Sequence, residues 1–392
     1  MNWKTLPALL AAATAPACSL FQTTPTEPDY GRPLAPGAAA LIELAPGEPR
    51  PDMRSTWTWQ EREELAPALD RSISWTRTKH SQQFFPVAGI THERALASLE
   101  RFRELLDEAR DADEFAAAFE REFTVYKSAG WDGLGGGVLF TGYCTPLLSG
   151  SLVRTSRYRH PLHALPGDLV KAENGTTLGQ ATTAGLRQYP DRRAILADSS
   201  FKDLEIVWLA DPLDAYIAHV NGSAFVQLES GEIVRFGYAG KNGRPYTSLG
   251  KELIAAGRVK AEDMSLAAIR RWAASHPGEV ESFLGRNETY VFFTPIEGNP
   301  RGSLNLEVAA ERTIATDKTL FPRGALCFVE TELPGVTGGT RPFSKLMLDQ
   351  DTGGAIRTAG RADLYLGVGP AAERRSGATS ATGQLFYFFL RP

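Results

Sequence analysis

Leu348-Asp-Gln-Asp-Thr-Gly-Gly-Ala-Ile-Arg-Thr-Ala-Gly-Arg-Ala-Asp-Leu-Tyr-Leu-Gly-Val-Gly369 sets Asp351 against a glycine pair, Gly353 and Gly354. It then returns a second carboxylate, Asp363, at the start of a short apolar run. Paired glycines let backbone approach backbone, or a ligand, where a Cβ would clash. Two aspartates flanking such a turn can share one cleft, and carboxylates in a cleft are the usual tools for breaking a glycosidic bond. Asp beside Gly is also ordinary turn chemistry, in which the side chain bonds only its own backbone. The rest of the chain has to separate these two meanings.

The 392 residues are 43% hydrophobic and 22% charged, with a net charge of -4. That composition is globular, with ample apolar material for a core, and the length alone suggests two or three domains. No basic block is present to neutralise phosphates, so a nucleic-acid role is not expected. Nor does any stretch approach the roughly 20 apolar residues that span a bilayer.

The N-terminus has its own character. Lys4 precedes an apolar run from Leu6 to Ala15, followed by Ala15-Pro16-Ala17-Cys18-Ser19. This is the grammar of a secretory signal over residues 1–18. Cys18 at the first position after the site resembles the acylated cysteine of bacterial lipoproteins, with plain signal cleavage and a free secreted protein as the alternative. A Pro-rich stretch over residues 19–54 reads as an extended tether. Export makes a disulfide between Cys144 and Cys327 chemically possible, and two buried thiols are equally compatible.

Folding signals start near Trp57. Leu96, Leu99, Phe102, Leu105 and Leu106 recur at helical spacing, with Thr91 placed as an N-cap. A second helix follows around Phe115 and Phe119, and Gly133-Leu-Gly-Gly-Gly137 reads as a flexible turn before a strand at Val138. Residues 200 to 238 are strand-like, with a hairpin turn at Ser230-Gly231. Helices return at Leu249–Ala256 and Leu266–Ala274. From Tyr290 onward short apolar runs predict strands with few helices among them, which favours a barrel or sandwich.

The remaining chemistry is thin. His160 and His163 are three apart, but Pro161 disfavours the helix that would align them on a metal. Zinc-hydrolase and serine-hydrolase signatures are missing. Asp351-Thr-Gly353 also spells an aspartic-protease motif, but those enzymes need two copies so that two carboxylates can share a proton. No cofactor and no metal are expected.

Longer motifs lie upstream of the opening segment. Phe140-Thr-Gly-Tyr143 is followed by Thr145-Pro146. Tyr238-Ala-Gly-Lys-Asn-Gly243 is followed by Tyr246-Thr-Ser-Leu-Gly250, Met264-Ser-Leu-Ala-Ala-Ile269 and Tyr290-Val-Phe-Phe293. In this order, and together with residues 351–369, they resemble the membrane-bound lytic murein transglycosylase A family from about Trp57 to the C-terminus. The C-terminal segment is similar to the three-aspartate "3D" module, whose aspartates map onto Asp317, Asp351 and Asp363. Two positions depart from the family pattern. Asn221-Gly-Ser-Ala224 stands where Gln-Gly-Ser-Gly is usual, and Cys144 stands where a second tyrosine follows Tyr143.

The resemblance implies a mainly β fold, in which a double-psi β-barrel with N-terminal helices is interrupted by an inserted second β-rich domain, with a groove between them. The barrel would take residues 55–149 and 289–392, with the 3D module at about 312–392 and the insert at 150–288. It implies non-hydrolytic cleavage of the β-1,4 bond between N-acetylmuramic acid and N-acetylglucosamine, leaving a 1,6-anhydro end. Asp363 would be the acid and base, Asp351 its neighbour or a fixing acceptor, and Asp317 a supporting carboxylate. Thr141, Tyr143, Asn221, Gly222, Ser223, Lys241, Asn242, Gly353 and Gly354 would contact substrate, although Lys241 and Asn242 also read as a solvated turn. The implied partner is the peptidoglycan glycan strand, with other cell-wall enzymes as further candidates. Membrane contact would be through the lipid anchor only, at the periplasmic face of the outer membrane. A non-catalytic glycan-binding protein using the same groove is the alternative.

Overall fold

The computed structural model describes residues 27–172, 175–335, 339–353 and 356–392. Six strands form the central barrel: β1 (Val138–Thr145), β2 (Thr313–Ala315), β3 (Leu326–Pro334), β4 (Thr340–Asp351), β5 (Arg361–Val368) and β6 (Ser380–Leu390). Their order is β6-β3-β4-β2-β5-β1, and β1 pairs again with β6, which closes the ring. The β1–β5 and β2–β4 pairs are parallel and the other four are antiparallel, giving the double-psi arrangement.

The apolar runs of these strands follow from burial on both faces, because alternate residues of a strand point opposite ways. Cys327, Val329, Met347, Leu385, Tyr387 and Phe389 fill the barrel interior. Leu326, Phe328, Leu346, Leu348, Phe386 and Phe388 point outward, into a second core beneath three helices. Those helices are Trp59–Thr76, His92–Glu108 and Ala112–Glu122, and each starts at a side-chain cap, Thr58, Thr91 and Asp111 respectively. Phe102, fully buried, meets Phe115, Phe119 and Phe123 edge to face. Gln350 joins the layers: it donates to Ala68 O and Ser72 Oγ of the first helix and accepts from Thr313 Oγ1 of β2.

Part of the expected tether is folded onto this body. Leu41–Glu43 is a strand paired with Phe123–Ser128, which itself pairs with β6, and Leu41, Leu44 and Met53 are buried. The prolines set the extended course, but Leu41, Leu44 and Met53 among and just after them supply enough contact to dock it. The Gly133–Gly137 turn is likewise held, since Asp132 Oδ1 accepts from Leu134 N and Gly136 N and Trp131 Nε1 donates to Gly136 O.

The insert opens immediately after β1. Its sheet runs in the order Val291–Pro295, Ile233–Lys241, Ser223–Leu228, Leu147–Ser151, Glu205–Leu209, His160–His163. The two edges meet at a bridge between Ala164 and Phe293. Arg270, on the helix Leu266–Ser275, reaches across to the barrel: it pairs with Asp214 at 2.7 Å and with Glu373, on the barrel helix Pro370–Ala378, at 2.6 Å. Among the described residues no helix is long and apolar enough to cross a membrane.

Two buried histidines are expected to make the insert acid-sensitive. His163 Nδ1 lies 2.6 Å from Tyr290 OH, and His219 Nδ1 accepts from Val291 N at 3.3 Å. Burial pulls His163 down to about 4, and burial together with the Arg192 charge pulls His219 well below its ordinary value. A histidine held neutral in the fold contributes stability above its unfolded pKa of about 6.5, and that stability is lost as pH falls toward the folded value. For His163 alone the loss at pH 5 is on the order of 2 kcal/mol. Urea unfolding followed at pH 7 and pH 5 should show the insert transition moving to lower urea, and His163→Gln should reduce the shift. A pH-independent transition would contradict this account.

Candidate active site

Register places the acidic residues. β5 runs parallel to β1 with Asp363 opposite Thr141 and Tyr365 opposite Tyr143, while Ala315 of β2 flanks Asp363 on the other side. Residues two apart on a strand share a face, so Arg361, Asp363 and Tyr365 project together with Thr141 and Tyr143. Thr141 Oγ1 donates a short hydrogen bond to Asp363 Oδ1. Asp363 Oδ2 has no hydrogen-bond partner among the described residues, and Asp363 is only partly buried.

Asp351 ends β4 on the same side, and its oxygens are committed. Oδ2 accepts from Tyr143 OH at 2.9 Å, and Oδ1 accepts from Ser303 N at 2.7 Å and Thr352 N at 2.8 Å. Ser303 lies on the segment that returns from the insert to the barrel. There a Cβ added to Gly302 would stand 2.9 Å from Gln350 O and 3.0 Å from Asp351 Cγ, so the close approach requires glycine. Burial, reinforced by the Asp351 charge, raises the Tyr143 phenol far above its ordinary value, so it stays a donor. Its ring leans on Tyr365 at 5.1 Å, and Tyr365 OH and Thr145 Oγ1 are 3.2 Å apart.

Asp317 sits apart from this face. It is buried, its Oδ1 accepts from Thr319 N and Oγ1, and its carbonyl accepts from Leu320 N and Phe321 N, so it closes a turn after β2. Beside it the barrel interior holds an ion pair that the sequence did not flag. Lys318 Nζ contacts Asp349 Oδ1 at short range, and Thr316 Oγ1 and Tyr387 OH donate to Asp349 Oδ2 at 2.7 and 2.8 Å. Burial pushes the Asp349 carboxyl up and the Lys318 ammonium down, each opposed by the other's charge. Thr316 links the pair to the site: its N–H donates to Asp351 O, and its carbonyl accepts from Thr352 Oγ1 at 2.8 Å.

On the insert side, Gly222 ends the helix Pro212–Asn221 at φ +68 and hands over to the strand starting at Ser223. A Cβ on Gly222 would come within 3.7 Å of the half-exposed Tyr238. Lys241 is exposed. Asn242 requires a correction: it is buried, donates from Nδ2 to Pro190 O and Glu288 O, and accepts at Oδ1 from Tyr290 N and Arg244 N. A carboxamide so fully used holds the loop and has nothing left for a sugar hydroxyl. Gly353 is described, whereas Gly354 and Cys18 lie outside the described residues. Cys144 and Cys327 are free thiols, and burial pushes the Cys144 thiol up, away from the nucleophilic thiolate. No group of three or more His, Cys, Asp and Glu side chains converges as metal ligands would among the described residues.

Sequence reasoning missed Arg361, whose guanidinium stands beside Asp363, and the Thr141 hydroxyl's pairing with that acid. The period-two spacing of Arg361, Asp363 and Tyr365 was the available signal.

Comparisons with known proteins agree with this architecture. Residues 139–294 match the family model of the MltA specific insert domain, and residues 312–389 match that of the 3D domain. Membrane-bound lytic murein transglycosylase A of Escherichia coli K12 is 31% identical over 262 residues, covering 66% of this chain and 67% of that protein. Its counterpart in Vibrio cholerae serotype O1 is 31% identical over 257 residues, covering 64% and 65%. The crystal structure of a membrane-bound lytic murein transglycosylase from Agrobacterium tumefaciens superposes with a TM-score of 0.71 at 26% identity, covering 90% of this chain and 98% of that one. E. coli MltA with bound chitohexaose shares the fold, with a TM-score of 0.66 at 24% identity, covering 94% and 97%. By its sequence, its two matched modules and its double-psi barrel with an insert, this chain belongs to the membrane-bound lytic murein transglycosylase A family.

Proposed function

We propose that this protein is a peptidoglycan lytic transglycosylase that cleaves the β-1,4 bond between N-acetylmuramic acid and N-acetylglucosamine with Asp363 as its single acid and base. The observation that carries this is the asymmetry of the two carboxylates. Both oxygens of Asp351 are spent on Tyr143, Ser303 and Thr352, while the partly buried Asp363 keeps Oδ2 free. The names of the relatives supply the reaction class, and a chitohexaose bound to a relative of the same fold is in keeping with a glycan in the groove.

Asp363, protonated on Oδ2, gives its proton to the leaving O4 as the C1–O4 bond breaks and oxocarbenium character develops. The resulting carboxylate takes the proton from the C6 hydroxyl, whose oxygen bonds to C1 and closes the 1,6-anhydro ring. No water is consumed, and the proton returns to Asp363. An attacking group carried on the same sugar has the high effective concentration that lets it outcompete solvent. Thr141, donating to Oδ1, would orient the acid so that its second oxygen faces the bond. Asp351 would hold the returning loop and Tyr143 against the groove floor, and Asp317 would support the turn after β2. Acylation at Cys18 would keep the enzyme at the periplasmic face of the outer membrane, within reach of its substrate.

Digestion of purified sacculi, with products read by mass, tests the reading. Anhydro-ended muropeptides are the expected products. Reducing ends would identify an ordinary hydrolase, and binding without products a non-catalytic glycan binder. Thr141→Val should lower kcat about 10- to 100-fold, since it removes a hydrogen bond to a group that is charged during the cycle. Thr141→Ser should retain most of the activity. Equal rates for the Val and Ser variants would remove Thr141 from the mechanism.

A further inference from the structure

The face that presents Asp363 also presents Arg361, two residues earlier on β5 and opposite Leu139 of β1. Its Nε lies 3.5 Å from Asp363 Oδ1, an ion-pair separation longer than an ordinary hydrogen bond. That Nε is buried and has no hydrogen-bond partner, and about a third of the side chain remains exposed. Leaving such a donor without an acceptor is costly, and a guanidinium offers five N–H groups in a planar fork that fits carboxylate and amide oxygens. On the neighbouring carboxylate Oδ1 is engaged by Thr141, and Oδ2 is the oxygen that the proposed reaction reserves for the glycosidic bond.

We propose that Arg361 is a specificity-determining residue, which donates to the lactyl oxygens of the muramoyl unit at the cleaved bond. This rests on the peptidoglycan reading given above. In a glycan of alternating GlcNAc and MurNAc, the 3-O-lactyl group is what distinguishes the two sugars, and it stands two ring carbons from the C1 at which the bond breaks. It ends in an amide carbonyl where a stem peptide is attached and in a carboxylate where the peptide has been removed. The fork of Arg361 can donate to either. A cation beside the acid therefore selects which sugar is placed over Asp363, because a GlcNAc unit at that position leaves the donor unpaired. Discrimination by an unpaired buried donor is the strong kind, since the wrong ligand has to bear the desolvation of that group.

The test separates this role from a merely structural one by measuring affinities in an Asp363→Asn background, where turnover does not interfere. The probes are a peptide-free GlcNAc–MurNAc strand with free lactyl carboxylates and chitohexaose, which has no lactyl group. Adding Arg361→Met should weaken the muramoyl strand about 10- to 100-fold and leave chitohexaose within about twofold. Arg361→Lys should recover part of the difference, because it keeps the charge but loses the fork. Equal weakening of both ligands, or an unchanged muramoyl affinity, would overturn the proposal. If the unsubstituted enzyme releases no anhydro products while the two affinities still separate, the reaction assignment fails and the role of Arg361 stands.

Discussion

Replacing Asp363 with Asn is expected to abolish release of 1,6-anhydro muropeptides from sacculi while the protein remains folded. The substitution is isosteric, and the Asn Oδ1 can still accept from Thr141 Oγ1. What it removes is the transferable proton on the second oxygen. General acid–base assistance contributes about 10²- to 10⁴-fold, and one group serves in both halves of this reaction, so a fall of at least about 10³-fold in kcat is expected. The urea-unfolding curve should overlay that of the unsubstituted protein. Asp351→Asn should behave differently, because Asp351 accepts from Tyr143, Ser303 and Thr352 and an amide can replace only part of that set. Its loss should be smaller in kcat and visible in stability. Near-normal turnover by Asp363→Asn, or a deeper kcat defect in Asp351→Asn, would reverse the assignment of the two carboxylates.

The second large effect concerns stability. Lys318→Met leaves Asp349 inside the barrel with only Thr316 and Tyr387 as donors. Removing one member of a buried pair costs about 3 to 5 kcal/mol, because the remaining charge has neither water nor a counter-ion. The pH dependence has a definite sign. Burial raises the Asp349 carboxyl, and removing Lys318 takes away the main cation that opposes that rise, leaving only the weaker influence of Arg323. A carboxyl raised in the fold contributes its stability below the unfolded value, about 4, and loses it as pH increases through the folded value. The single variant should therefore be closest to the unsubstituted protein in acid and fall behind as pH rises toward neutrality. Lys318→Met combined with Asp349→Asn should recover at least half of the loss, a coupling that a double-mutant cycle measures directly. Additive losses would show that the pair is not a unit. Thr316 connects the pair to Asp351 and Thr352, so the single variant should also reduce activity.

Much of the barrel was legible because its strands are buried on both faces. Leu385 to Leu390 reads as an unbroken apolar run, and in the fold its residues alternate between the barrel interior and the helix layer. Thr91 was legible as a cap because its role is local, its hydroxyl accepting from Arg94 N three residues on. Residues 27–54 were less so, since proline content signals extension but does not tell whether a partner strand is waiting. Asn242 illustrates the same limit: in sequence it is a polar residue in a Gly-flanked loop, and only the approach of Pro190, Glu288 and Tyr290 makes it a buried brace. Asp349 carried no signal in the sequence, and only strand alternation in the closed barrel turns it inward to Lys318.

By itself, the sequence left the helices Trp59–Thr76 and Pro212–Asn221 unmarked, but it determined most of the barrel strands, the helices around Leu99 and Phe115, the order of the family motifs and the two aspartates on either side of the glycine pair. Those properties depend on residue type and short spacing, which the linear chain carries in full. The tertiary structure alone decided which oxygens of the two aspartates are occupied. Thr141 and Asp363 are 222 positions apart and meet through the parallel register of β1 and β5, while Tyr143 and Asp351 are 208 apart and meet because the closed barrel brings the end of β4 to the same side. A carboxylate's chemistry depends on which of its oxygens are already occupied, and occupancy is set by those long-range contacts. The chain therefore names two candidate acids, and the closed barrel leaves one of them with a free oxygen.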